Sequence, residues 1–120
     1  MLALPLYNWG VSQHVKTWID LAIAGAPQGA RLLEGKPVVL ITTRGGAYGP
    51  GPPKEGWDYN VIYLRRIFED VWGGNLTVIE RELTLAGVAP GMEALVELAE
   101  LNKKTAEEAA ADAGLALASR

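Results

Sequence analysis

The stretch KPVVLITT, residues 36–43, constrains this chain more than any other. Its centre, Val38 to Ile41, is apolar without interruption. A strand with one wet face alternates apolar and polar residues, whereas an unbroken apolar run is covered on both faces, as in a parallel sheet between helices. Pro37 is compatible with this reading, because no ladder donor need be lost at the first position of a strand. Parallel strands cannot be joined by hairpins, so the flanking segments must supply crossovers.

They do. Upstream, the run Leu2–Leu4 ends in PLYNWG, an apolar stub passing into a turn. VSQHVKTWIDLAIAG follows with Ser12 as N-cap, Gly25 as terminator and Val15, Trp18, Ile19 and Ala22 at helical spacing. AGAPQGARLLEGK reads as a loop anchored by Leu32 and Leu33. Downstream of the central strand lies RGGAYGPGPPKEGW, a long loop dense in Gly and Pro, and loops of that length in small domains tend to be functional. Asp58 caps the next helix, YNVIYLRRIFEDVWGG, with Val61, Leu64, Phe68 and Val71 on one face and Gly73 and Gly74 as its stop. NLTVIERELTLAG is strand-like, with Leu76, Val78 and Ile79 apolar. From Pro90 a last helix is expected, with a stripe at Leu95, Leu98 and Leu101 and an Ala-rich tail of high helix propensity. This alternation of strand and helix predicts one α/β domain over residues 1–120, built on a parallel sheet with helices as crossovers.

Composition narrows the chemistry. A net charge of −3 offers no general attraction to phosphate backbones or anionic lipid, so neither nucleic acid nor a membrane is an expected partner. With no cysteine and one histidine, His14, thiolate chemistry, disulfides and Cys/His metal centres fall away, and no metal site is expected. The first residues lack a basic segment before their apolar run, and no apolar stretch approaches the roughly 18 residues of a membrane span, so the expected location is the cytoplasm.

In an open α/β sheet, ligands sit outside the carboxyl ends of the strands. Two loops occupy that edge, PLYNWG and TTRGGAYGPGPP. Asn8 offers an amide with donor and acceptor, Gly45 and Gly46 allow close backbone approach, and Tyr7, Trp9 and Tyr48 supply flat apolar area. Donors around a flat slot suit an aromatic heterocycle better than a phosphate or a metal.

The two motifs in this order, PLYNWGVSQHVKTWID and then GKPVVLITTRGGAYG, closely resemble the FMN-dependent NADH-azoreductases and NAD(P)H:quinone dehydrogenases of flavodoxin-like fold. The matches fall at Pro5–Trp9, Lys16–Asp20 and Thr43–Gly46, and YLRRIFEDVWGG resembles the family's next helix. The resemblance implies a three-layer αβα parallel sheet of order 2-1-3-4-5, with this chain's first strand in the third position. The chain then corresponds to the C-terminal portion of that fold, without strands one and two and the Ser-rich loop that grips the FMN phosphate. It further implies FMN as cofactor, NAD(P)H as electron donor, two-electron ping-pong transfer to a quinone or azo acceptor, and a homodimer. Asn8 and Trp9 would face the pyrimidine and N5 side of the isoalloxazine, and Gly45 and Gly46 its O2/N1 edge. Pro5, Leu6 and Tyr7 would shape the slot, Thr43 and Arg44 would position the glycine loop, and Tyr48 would line it. No side chain is assigned as catalytic, since the cofactor carries the reaction. The alternative is a non-catalytic remnant or weak flavin-binding module.

The remaining singular residues read as structural. His14 is expected at the surface, Trp18, Phe68, Trp72 and Met92 in the core, and the charges of Arg65–Arg66, Lys103–Lys104 and Glu107–Glu108 on solvated helix faces.

Overall fold

The computed structural model describes all 120 residues. Three strands form one parallel sheet in the order β1-β2-β3, with β1 at Leu2–Ala3, β2 at Pro37–Thr43 and β3 at Asn75–Arg81. The ladder of β1 runs on past its regular part, since the Leu4 N–H donates to the Ile41 carbonyl at 2.9 Å and the Leu6 N–H to the Thr43 carbonyl at 3.0 Å. Leu2 lies opposite Leu40, which lies opposite Val78, while Ile41 lies opposite Ile79. With a period of two, the pair Val38 and Leu40 therefore faces one side of the sheet and Val39 and Ile41 the other. This is why the central strand carries no polar residue between 38 and 41.

Each face is covered. Helix α1, Gln13–Gly25, and helix α2, Tyr59–Arg65, close over the first face, where Ile19, Leu64, Ile67, Phe68 and Trp72 pack with Val38 and Leu40. Helix α3, Val96–Ala118, covers the second face, where Ala106 packs with Val39 and Ile79. The result is the expected three-layer αβα arrangement. Asp58 caps α2 as expected, its Oδ1 accepting the N–H groups of Asn60 and Val61 at 2.8 and 2.9 Å. No helix is long and apolar enough to cross a membrane.

Several expected burials are corrected. Trp18 is 48% exposed: its ring packs edge-on to Trp72 at 5.8 Å but covers the core from outside. Val71 is exposed and Ile67 and Trp72 are buried, because α2 continues as a π-helical turn over Arg66–Val71. There the Trp72 N–H reaches back five residues to the Ile67 carbonyl at 2.8 Å, and the wider turn shifts the inward face by one residue. Of the expected leucine stripe, Leu98 and Leu101 face outward in α3, 54% and 62% exposed, while Leu95 is half-buried in a short 3-10 turn, Glu93–Leu95, before it. The buried face is instead Ala99 and Ala106, whose short side chains let the helix approach the sheet closely. Met92 is half-buried and lies on the wall of a cleft rather than in the core, and of the Leu32–Leu33 anchor only Leu33 packs inward. Phe68 and Trp72 are core, and His14 and both charged faces are exposed, as expected.

Phe68 is wholly buried at the centre of the larger cluster, so Phe68→Ala is expected to cost about 3–5 kcal/mol in urea unfolding. Leu101→Ala, on the exposed side of α3, is expected to change stability by less than about 0.5 kcal/mol.

Candidate functional site

The last rung between β1 and β2 is the Leu6–Thr43 hydrogen bond. Beyond it the two sequence-predicted loops leave the carboxyl edge from neighbouring strands, about 4.8 Å apart at their base. The first folds at once into a tight turn. The Tyr7 and Gly10 backbones pair with each other, and Asn8 and Trp9 between them have φ of 47° and 61°. Positive φ at both central positions is the signature of a type I′ turn. Asn tolerates this conformation; Trp does so at a cost of about 1–3 kcal/mol, which surrounding structure must offset. The Trp9 ring packs edge-on against Trp57 at 5.5 Å, and its carbonyl accepts the Tyr59 N–H at 3.0 Å at the start of α2.

The second loop is fixed by Arg44. Its guanidinium is only 5% exposed and meets three carboxylates: Asp58 Oδ2 at 2.7 Å, Glu80 Oε2 at 2.5 Å and Glu82 Oε1 at 2.7 Å. Burial opposes the charge, but the Asp58 hydrogen bond and the charges of Glu80 and Glu82 outweigh it, so the arginine pKa lies above its ordinary value. The ion cluster joins three elements. Asp58 is also the cap of α2, Glu80 lies in β3, and Glu82 follows β3 and accepts the Tyr48 N–H at 3.1 Å. Behind it Asn60 donates to Thr42 Oγ1 at 3.4 Å, both side chains being buried.

Held in this way, the glycine loop directs its polar groups in two directions. The carbonyls of Arg44, Gly45 and Gly46 point toward the chain after β3, accepting N–H groups from Thr84, Leu85 and Leu83 at 3.1–3.2 Å. The N–H groups of Gly45, Gly46 and Ala47 donate to nothing within the chain. A Cβ on Gly45 would meet Leu85 Cδ1 at 2.8 Å, so this glycine admits the Leu85 side chain. A Cβ on Gly46 would make only ordinary contact with the Tyr48 hydroxyl at 3.4 Å.

Two concavities flank these loops. One, about 760 Å³, is lined by Pro5, Tyr7 and Asn8 with the start of α1, including His14. The other, about 530 Å³, is lined by Gly45, Gly46 and Tyr48 with Leu83, Leu85 and Met92. The expected site residues thus divide between two neighbouring hollows at one edge. Leu6 and Trp9 sit in the segment between β1 and α1, Thr43 is exposed, and Arg44 lies buried beneath the glycine loop. Sequence reasoning missed Asp58, Glu80 and Glu82 as partners of Arg44, and Lys54 and Trp57 as neighbours of Trp9. One signal was available: an arginine directly after an unbroken buried strand requires carboxylates close by.

A model of the flavodoxin-like fold matches residues 1–111. Among curated proteins, an FMN-dependent NADH:quinone oxidoreductase of Parafrankia sp. is 38% identical over 117 residues, 93% of this chain and 56% of that protein. One of Frankia casuarinae is 40% identical over 96% of this chain and 56% of its own length, and one of Streptomyces avermitilis is 37% identical over 100% and 57%. The chain spans about half the length of the curated relatives it matches. Among solved structures, the FMN-dependent NADH-azoreductase of Bacillus anthracis in complex with FMN superposes with a TM-score of 0.63 at 23% identity, over 92% of this chain and 52% of that one, a likeness of fold.

Replacing Arg44 by Met keeps its packing volume but leaves three carboxylates facing one another. Arg44→Met is expected to lower the stability of the chain by about 3–5 kcal/mol in urea unfolding. A loss below about 1 kcal/mol, the range of surface ion pairs, would remove the cluster from its structural role.

Proposed function

Because the chain belongs to the flavodoxin-like fold family, we propose that it forms part of an FMN-dependent NAD(P)H oxidoreductase of azoreductase or quinone reductase type. The observation that carries this reading is the row of unpaired N–H groups at Gly45, Gly46 and Ala47, beside an Asn8 whose side-chain amide is also unpaired. These donors leave from neighbouring strands, and a flat heterocycle with an acceptor-rich edge suits them. Gly45 and Gly46 then donate to the O2/N1 edge of the isoalloxazine, where negative charge develops on reduction. Asn8 and Trp9 face its pyrimidine and N5 side, Pro5, Leu6 and Tyr7 shape the slot, and Tyr48 lines it. Thr43 and Arg44 position the glycine loop. When bound, FMN would supply two-electron redox chemistry between NAD(P)H and a quinone or azo acceptor in two separate half-reactions. The chain's own task is to orient the ring and to stabilise charge at its edge.

A homodimer belongs to the same reading. It is supported by the exposed apolar side chains Trp18 and Leu21 on α1 and Tyr59 and Ile62 on α2. Since the chain spans about half the length of those relatives, ring binding and turnover are measured separately.

Gly46→Val places a branched side chain in the path of a ring edge without displacing backbone. Losing one or two hydrogen bonds of about 1 kcal/mol each, it is expected to weaken flavin binding about tenfold in a fluorescence titration. FMN and riboflavin should be affected alike, because the lost contact lies at the ring. Unchanged affinity for both would overturn the ring-edge assignment, and NADH-dependent quinone reduction with added FMN reports turnover independently.

A further inference from the structure

Two arginines stand at the carboxyl edge of the sheet, and their surroundings differ. Arg44 takes the carboxylates of Asp58, Glu80 and Glu82. Arg81, the last residue of β3, pairs with none. Its half-buried guanidinium is held by backbone instead. One nitrogen, Nη1, donates to the Glu82 carbonyl at 2.7 Å and to the Ala99 carbonyl of α3 at 2.8 Å. Nε and Nη2 have no acceptor in the chain. An arginine carries its five N–H donors in a fixed fork, so pinning one nitrogen orients the other two.

Two further donors are free beside it. Asn102, one turn after Ala99 on α3, turns its Oδ1 to the Glu82 N–H at 2.6 Å, which leaves its Nδ2 amide without an acceptor. Thr43 lies opposite Arg81 in the parallel ladder, and its exposed hydroxyl bonds to nothing in the chain. Neighbouring strands run about 4.8 Å apart, and registered partners share a face. That face is the one covered by α3, since Thr43 and Arg81 continue the series of Ile41 and Ile79. Glu80 and Glu82 alternate with Arg81 and belong to the other face, where Arg44 holds them. Glu97 and Glu100, in the first turns of α3, are exposed and reach no cation.

We propose that Arg81, Thr43 and Asn102 form an oxyanion subsite for a phosphate group, free or carried as a monoester, on the α3 side of the carboxyl edge. The donor set selects the ligand. A guanidinium edge presents two parallel N–H groups that match two oxygens of one phosphate. A planar carboxylate is satisfied by that fork alone, whereas a tetrahedral phosphate has further oxygens for the Thr43 hydroxyl and the Asn102 amide. A cation would meet the charge of the guanidinium. The subsite stands apart from the flavin reading, which rests on the N–H groups of the glycine loop.

The test is a titration of the chain with inorganic phosphate at constant ionic strength, chloride being the balancing salt. It is followed by NMR at the Arg81 Nε–H and the Asn102 side-chain amide, where saturable shifts are expected. Read at Asn102, Arg81→Gln is expected to weaken binding about tenfold or more, and Thr43→Val about threefold. Arg81 also ties β3 to α3, so Asn102→Asp serves as a second variant. It keeps an acceptor for the Glu82 N–H but replaces the free amide by a negative charge, and is expected to abolish binding, read at Arg81, with an unchanged circular dichroism spectrum. Ribose 5-phosphate, with ribose as control, separates the two sources. Tighter binding of the ester than of inorganic phosphate marks a phosphate ester as the ligand, and equal or weaker binding marks the free ion. Shifts that chloride reproduces, shifts that do not saturate, ribose binding as tightly as its phosphate, or phosphate affinity unchanged in Asn102→Asp would overturn the proposal.

Discussion

A guanidinium taken out of water organises the working edge of this molecule. Arg44 follows directly on a strand whose centre is buried on both faces, and its own side chain is only 5% exposed. Charge in that position requires compensation, and three carboxylates from beyond β2 supply it: the cap of α2, the end of β3 and the residue after it. Removing either side of such a cluster leaves charge uncompensated, so the cluster fixes how α2 and the segment after β3 meet the glycine loop.

The exposed chemistry follows from this buried one. With Arg44 anchored, the carbonyls of residues 44–46 are taken up by the Leu83–Leu85 segment, and the N–H groups of Gly45, Gly46 and Ala47 are left without internal partners. The neighbouring turn is made by a different device, a pair of positive-φ residues in which Trp9 is held by Trp57 and by the start of α2. One loop is set by charge and the other by backbone strain against aromatic packing. Both occupy the carboxyl edge, where parallel sheets place ligands.

The layer architecture was legible because it depends on local pattern. The unbroken run at Val38–Ile41 required two covered faces, and Asp58 announced its helix by residue type. Leu64, Phe68 and Trp72 were assigned inward correctly, but Val71 was not, since a π-helical turn cannot be seen in a 3.6-residue period. The α3 leucines misled for a different reason. Leu98 and Leu101 have the larger transfer energy, yet the face of α3 that packs on the sheet is that of Ala106, Ala109, Ala110 and Ala113. At the site, residue types and motif spacing pointed to the two loops. Which carboxylates would neutralise Arg44 depended on contacts up to 38 positions apart in sequence, between Arg44 and Glu82, which no local signal encodes. Lys54 was hidden in the same way, within a loop whose path only the folded chain defines.

The central claim is that the Arg44 cluster holds the glycine loop so that its free N–H groups, with Asn8, receive the edge of a flavin ring. Amide chemical-shift mapping during a riboflavin titration measures this directly. The account predicts the largest shifts at the backbone amides of Gly45, Gly46 and Ala47 and at the Asn8 side-chain amide, with the α3 amides from Glu107 to Ala118 unmoved. Shifts centred elsewhere, or an unperturbed glycine loop at saturating riboflavin, would contradict it.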